Sequence, residues 1–169
     1  MELQDYATDI QSNIERVLNT EGGSPGLTEV QKWGVALASA YQTKNRQLID
    51  FVYDKAKDIL PPEEIKATKT AVTLMAMNNV YYRFRSIAEN PEFKDMPVKL
   101  RMSGLSTHGI EKVNFEIYAT AISMLNYCKT CINGHVRLIN KHGLTNEGVQ
   151  STARIASVMA GAAQALEIN

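Results

Sequence analysis

Two thiols stand close together in this chain and are its only cysteines: Cys128 and Cys131, separated by Lys129 and Thr130. So short a loop constrains little of the unfolded chain, which argues against a structural staple. In a reducing compartment such a pair is catalytic or metal-binding more often than structural. Placed at the start of a helix, it meets free backbone N–H groups and the positive end of the helix dipole, both of which favour thiolate over thiol. The two-residue gap also lets the sulfurs cycle between dithiol and disulfide. His135 lies four residues after Cys131, one turn along the same face, where a neutral imidazole can take the Cys131 proton. Cys128 is two turns from His135. On spacing, Cys131 is the activated sulfur and Cys128 its resolving partner, although in thioredoxin-like pairs the first cysteine usually attacks. Glu116, one helix earlier, is a carboxylate able to orient the His135 ring.

The competing reading of the same cysteines is a zinc half-site completed by His135 and His142, or by His108. Cys128, Cys131, His135 and His142 would share one straight helix, which cannot wrap four ligands tetrahedrally about one ion, so no metal is expected. Taken singly, His135 would be a helix-surface histidine and Glu116 a solvated carboxylate; the spacing raises both. His108 and His142 read as structural, His142 serving a helix C-terminus. Lys129 could add positive charge near the thiols, with a solvated surface lysine the preferred reading. Met75, Met77, Met124 and Met159 read as core; Tyr81 and Tyr82 beside Arg83 and Arg85 could line a groove, with helix surface the preferred reading.

Glu116, eleven residues, Cys128, two residues, Cys131, three residues, His135: this pattern resembles alkyl hydroperoxide reductase D, within the carboxymuconolactone decarboxylase-like families. Lys141-His142-Gly143 and the small-residue run Ala162-Ala163-Gln164-Ala165-Leu166 extend the likeness. It is strong over the last third; the first two thirds agree mainly in helical layout. The resemblance implies an all-helical fold and a thiol-dependent peroxidase that reduces organic hydroperoxides. It makes Cys131 the cysteine that forms the sulfenic acid and Cys128 the proton donor that closes the disulfide, with Glu116 and His135 as the proton relay. It further implies no bound cofactor, a dihydrolipoyl group as external reductant, and, as partners, a lipoylated 2-oxo-acid dehydrogenase component and a peroxiredoxin. A homo-oligomer, trimer or hexamer, is expected. Alternatives on the same fold are a redox adaptor that passes electrons to a peroxiredoxin, and a decarboxylase or lactone-processing enzyme that would not need the cysteines. The family often places a histidine directly before the second cysteine. Thr130 stands there in this chain, which points to a weaker relay or a different substrate preference.

The elements that must position these residues read as helices throughout. Leu3 to Leu18 is amphipathic and is ended by Gly22-Gly23-Ser24-Pro25-Gly26. Thr28-Glu29-Val30-Gln31 opens a second helix to Tyr41, Asn45 to Leu60 forms a third, and Pro62 opens a long fourth toward Ile87. Asp95 to Gly104 reads as irregular. Three more helices follow, over Gly109 to Asn126, Cys128 to Lys141 and Asn146 to Glu167, with Gly143 as C-cap of the second and Thr145 or Asn146 capping the third. Ile110, Val113, Ile117, Ala121 and Met124 make an apolar stripe. No segment shows the two-residue alternation of strands, so the fold class is all-α.

The chain of 169 residues suits one domain, 1–169, with an internal repeat readable across about 28–88 and 108–167. Glu29 to Ala56 overlays Glu116 to Gly143, Lys44 and Leu48 taking the places of Cys131 and His135; chance overlay of helical patterns is the competing explanation. Hydrophobic residues make up 44%, enough for an ordered core. Eighteen basic side chains balance eighteen acidic ones, so no nucleic-acid footprint is present. Met1 to Thr20 carries no apolar run of the signal-peptide kind, and no membrane-spanning run is present. The expected location is cytoplasmic.

Overall fold

Two helices are largely apolar or small around their circumference and lie inside. They are α2 (Glu29–Thr43) and α6 (Lys112–Leu125); in each, ten consecutive residues, Gln31 to Ala40 and Asn114 to Ser123, are buried. In this computed structural model, which describes residues 1–168, six further α-helices complete the chain: α1 (Thr8–Leu18), α3 (Arg46–Ala56), α4 (Pro62–Ile87), α5 (Glu92–Asp95), α7 (Lys129–Lys141) and α8 (Asn146–Glu167). No strand occurs among the described residues. α2 packs on α4, α6 and α8, α6 also packs on α4, α7 and α8, and one core cluster runs through all of them and α1. Among the described residues no helix is long and apolar enough to cross a membrane.

Local chemistry explains the boundaries. Thr28 and Gln31 cap α2 reciprocally, each side chain accepting from the other's backbone N–H. Pro62 occupies the first turn of α4, where its missing N–H costs nothing. Of the two candidate caps for α8, Thr145 takes the role by accepting from Gly148 N. Gly143, with φ +88°, carries the left-handed turn after α7.

Some boundaries differ from the sequence reading. α6 begins at Lys112 rather than Gly109, because Gly109 adopts φ +80° and the chain turns there first. The third helix stops at Ala56, four residues before Leu60. A 3-10 turn, Asp5–Ala7, precedes α1. The stretch read as irregular is preceded by the one-turn α5 and runs into a second 3-10 turn, Ser103–Leu105. The first residues of α2, α3 and α4 precede those of α6, α7 and α8 by 83, 83 and 84 residues. That register is one turn shorter than the overlay of Glu29 on Glu116. It sets Trp33, Asn45, Leu48 and Val52 against Glu116, Cys128, Cys131 and His135.

Close packing at the centre depends on small residues. Gly34 of α2 lies under Tyr118 of α6, and a Cβ there would come within 2.2 Å of the phenol oxygen. The core also carries one polar chain of contacts: Gln31 Nε2 donates to Asn114 Oδ1 at 2.9 Å, and Asn114 Nδ2 to Glu64 Oε1 at 2.7 Å. Tyr118 Oη donates to Glu64 Oε2 at 2.8 Å. Burial beside Glu64 pushes the Tyr118 phenol far above its ordinary range, so it keeps its proton and acts as donor. These bonds tie α2, α4 and α6 together and satisfy groups that would otherwise be costly inside the core.

Candidate active site

The cysteine pair sits where α6 gives way to α7. α6 ends in a Schellman arrangement: Tyr127 N donates to Met124 O at 3.0 Å, and Cys128 N to Ser123 O at 3.0 Å. The left-handed position is held by Tyr127, φ +55°, rather than glycine. Cys128 therefore closes one helix and, as N-cap, opens the next, one residue earlier than the helix itself begins. Cys131 follows in the first turn of α7, where backbone N–H groups lack intrahelical partners. The two cysteines are joined in a disulfide, with Cα atoms 5.3 Å apart.

The two sulfurs differ in access. Cys128 is wholly buried, whereas Cys131 is 9% exposed and lines a cavity of about 230 Å³. α4 supplies Met75, Asn78 and Tyr82 to that cavity, and the loop before α6 supplies Met102 and Leu105. α7 adds Thr130, Cys131, Gly134, His135 and Leu138. Apart from these few polar groups the walls are apolar.

His135 comes from the second turn of α7 and meets Glu116 of α6, with Nδ1 and Oε2 2.6 Å apart. The Glu116 side chain is 3% exposed. Burial pushes its carboxyl up, but the hydrogen bonds from His135 and Lys112 more than reverse this and hold it below the ordinary carboxylate value. An ionised carboxylate only accepts, so Nδ1 carries the proton and Nε2 is left as the ring's other face. Lys112 Nζ donates to the second oxygen, Oε1, at 2.7 Å, and also to Leu105 O at 3.1 Å. One carboxylate thus holds the imidazole and, through Lys112, the loop that walls the cavity.

The sequence reading paired Cys128, Cys131, His135 and Glu116, and the fold brings them to one place. It missed Lys112, although a lysine four residues before Glu116 on one helix was a readable signal. Of the two readings open for Tyr82, groove or helix surface, the structure takes the first: Tyr82 lines the cavity. Asn78, Met102 and Leu105 gave no local signal. Thr130, between the cysteines, is exposed and reaches the cavity rim; Lys129 is exposed. Met75 and Met159 are core residues, with Met77 and Met124 half-buried. His108 stacks on Phe115 with centroids 4.3 Å apart, and burial, then Lys112, hold its imidazole below the ordinary histidine value. His142 is exposed at the end of α7. No cluster of three or more His, Cys, Asp or Glu side chains suited to a metal occurs among the described residues.

An all-helical fold with a cysteine pair at a helix entrance and a Glu–His couple behind it defines a class, and sequence comparison agrees. Residues 91–168 match the model of the carboxymuconolactone decarboxylase family. Within it, the chain is 42% identical over 163 residues to the alkyl hydroperoxide reductase AhpD of Coxiella burnetii (strain Dugway 5J108-111), covering 96% of this chain and 92% of that protein. It is 38% identical to the AhpD of Rhizorhabdus wittichii, covering 95% and 91%, and 37% identical to that of Methylocella silvestris, covering 98% and 91%. The chain belongs to the AhpD family.

Proposed function

We propose that this protein is a thiol-dependent peroxidase that reduces organic hydroperoxides at Cys131. The observation that carries the reading is the unequal access of the two sulfurs: Cys131 lines the cavity and Cys128 is sealed beneath it. A peroxide reaches only the first. Glu116, fixed by Lys112, holds the His135 proton on Nδ1, leaving Nε2 to take the proton of Cys131. The thiolate attacks the terminal peroxide oxygen; the S–O bond forms as the O–O bond breaks, giving a sulfenic acid and an alcohol. Cys128 then attacks that sulfur and water leaves, producing the Cys128–Cys131 disulfide. A dihydrolipoyl dithiol, carried by a lipoylated 2-oxo-acid dehydrogenase component, restores both thiols by exchange. The names of the AhpD relatives support the peroxidase reading. The same exchange chemistry would also serve electron transfer to a peroxiredoxin.

The test is a thiol count. In the reduced protein, tert-butyl hydroperoxide should remove both thiols and dihydrolipoamide should return them. Cys131→Ser should abolish peroxide consumption, while Cys128→Ser should stop at a sulfenic acid that a carbon nucleophile traps. Peroxide turnover by Cys131→Ser at the parent rate would refute the mechanism.

A further inference from the structure

The cavity beside Cys131 does not end at its apolar walls. Tyr82 and Thr130 line it and also line a second recess of about 390 Å³, whose other walls are Arg85, Ser86 and Lys94. That recess holds two cations and no anion. Arg85 is half-buried and held in place: Nε donates to Phe93 O at 2.8 Å and Nη2 to Lys94 O, with Cζ 5.9 Å from the ring centroids of Tyr81 and Tyr82. Nη1 takes no part in these bonds. Lys94 is exposed on α5. Glu92 and Asp95 share that helix, yet neither Arg85 nor Lys94 is in a salt bridge among the described residues. Thr130 stands in the first turn of α7, so the positive end of that helix lies at the same rim. An arginine and a lysine without acidic partners are suited to an anion.

Resting on the peroxidase reading, we propose that the substrates are hydroperoxides of carboxylic acids, with the carboxylate held by Arg85 and Lys94. From Asn78, on the wall of the first cavity, to Arg85 the helix α4 advances seven residues, about 10 Å. That is the span of an extended chain of about eight carbon–carbon bonds. The peroxide then meets Cys131, the chain passes Tyr82, and the acid group reaches the two cations. A phospholipid hydroperoxide brings a second chain and a glycerol, for which a cavity of about 230 Å³ has no room. The chemistry at sulfur is that already given. The Cys131 thiolate gives two electrons to the peroxide and becomes a sulfenic acid. The alkoxide that leaves takes the proton Cys131 released through His135, and the product is a hydroxy acid.

The test compares 9-hydroperoxynonanoic acid, ionised at pH 7, with its methyl ester, as oxidants of the reduced protein. The two differ in charge at the far end and not at the peroxide. In the parent the acid should oxidise the thiols about 5- to 20-fold faster than the ester, the effect of one half-buried and one exposed cation. Raising NaCl from about 20 mM to about 300 mM should narrow that ratio, because the recess is open to solvent. Lys94→Glu should bring the ratio to one or below, and Lys94→Arg, which keeps the charge, should retain it. A merely structural role for Lys94 would leave the ratio where it was. The parent ratio needs no variant, so poor folding of either substitution leaves the comparison decisive. A parent ratio at or below one would overturn the proposal, as would a ratio that Lys94→Glu leaves intact. So would failure of both compounds where tert-butyl hydroperoxide oxidises the thiols. In each of these cases the peroxidase reading stands. A parent protein inert to all three hydroperoxides would remove that reading, and this inference with it.

Discussion

Lys112→Met probes how the Glu116 carboxylate is held. Methionine keeps the aliphatic stem over Phe115 and deletes only the ammonium, which donates to Glu116 Oε1 at 2.7 Å. A hydrogen bond to a charged group is worth about 1.5–3 kcal/mol. The Lys112 side chain is 37% exposed, so solvent screening reduces this to about 1–2 kcal/mol. In a domain of this size that corresponds to a fall in thermal midpoint of about 2–8 °C. The pH dependence follows from the lowered Glu116 value. Burial raises it, but the bonds from His135 and Lys112 more than reverse this, so the carboxyl ionises at lower pH folded than unfolded. Its contribution is therefore fully present above the unfolded value of about 4.3 and is lost as pH falls through the folded one. Urea denaturation of parent and variant should show the whole gap at pH 7 and a shrinking gap below about pH 4. A small remainder, from the lost bond to Leu105 O, should not titrate. Equal urea midpoints at pH 7, or a gap of the same size at pH 3, would refute the argument.

Tyr127 occupies the left-handed position of the α6 C-terminus with its side chain 82% exposed, so Tyr127→Gly should relieve strain and lose little packing. A gain of about 1 kcal/mol is expected in urea denaturation, and a loss of stability would show that the ring does more than it shows. Tyr118→Phe removes the donor to Glu64 Oε2 and leaves a buried oxygen unpaired, at a cost of about 1–3 kcal/mol. Unchanged stability in that variant would mean that the polar chain through Glu64 does not hold α4 to α6.

Much of this protein could be read along the chain, because the signals concerned are local. The limits of α4 and α8 follow from Pro62 and Thr145, and the α7 turn from Gly143, since each acts on backbone groups within one turn. The approach of Cys131 and His135 is equally local, four residues along one helix. What escaped were boundaries set by backbone torsion, such as Gly109, and contacts whose partners are far apart in sequence. Glu116 and His135 are nineteen residues apart on two helices, and only the packing of α7 on α6 converts the motif into a 2.6 Å contact.

The chain by itself determined that the protein is helical and that two thiols, an imidazole and a carboxylate make up its candidate site. Those properties reside in residue types and in spacings short enough for one turn or one cap to enforce. Tertiary structure alone decided which sulfur meets the cavity, that Lys112 completes the carboxylate, and that Met75, Asn78 and Tyr82 of α4 line that cavity. Each of these depends on the side of α4, α6 or α7 that is turned toward a neighbour, and long-range packing sets that orientation.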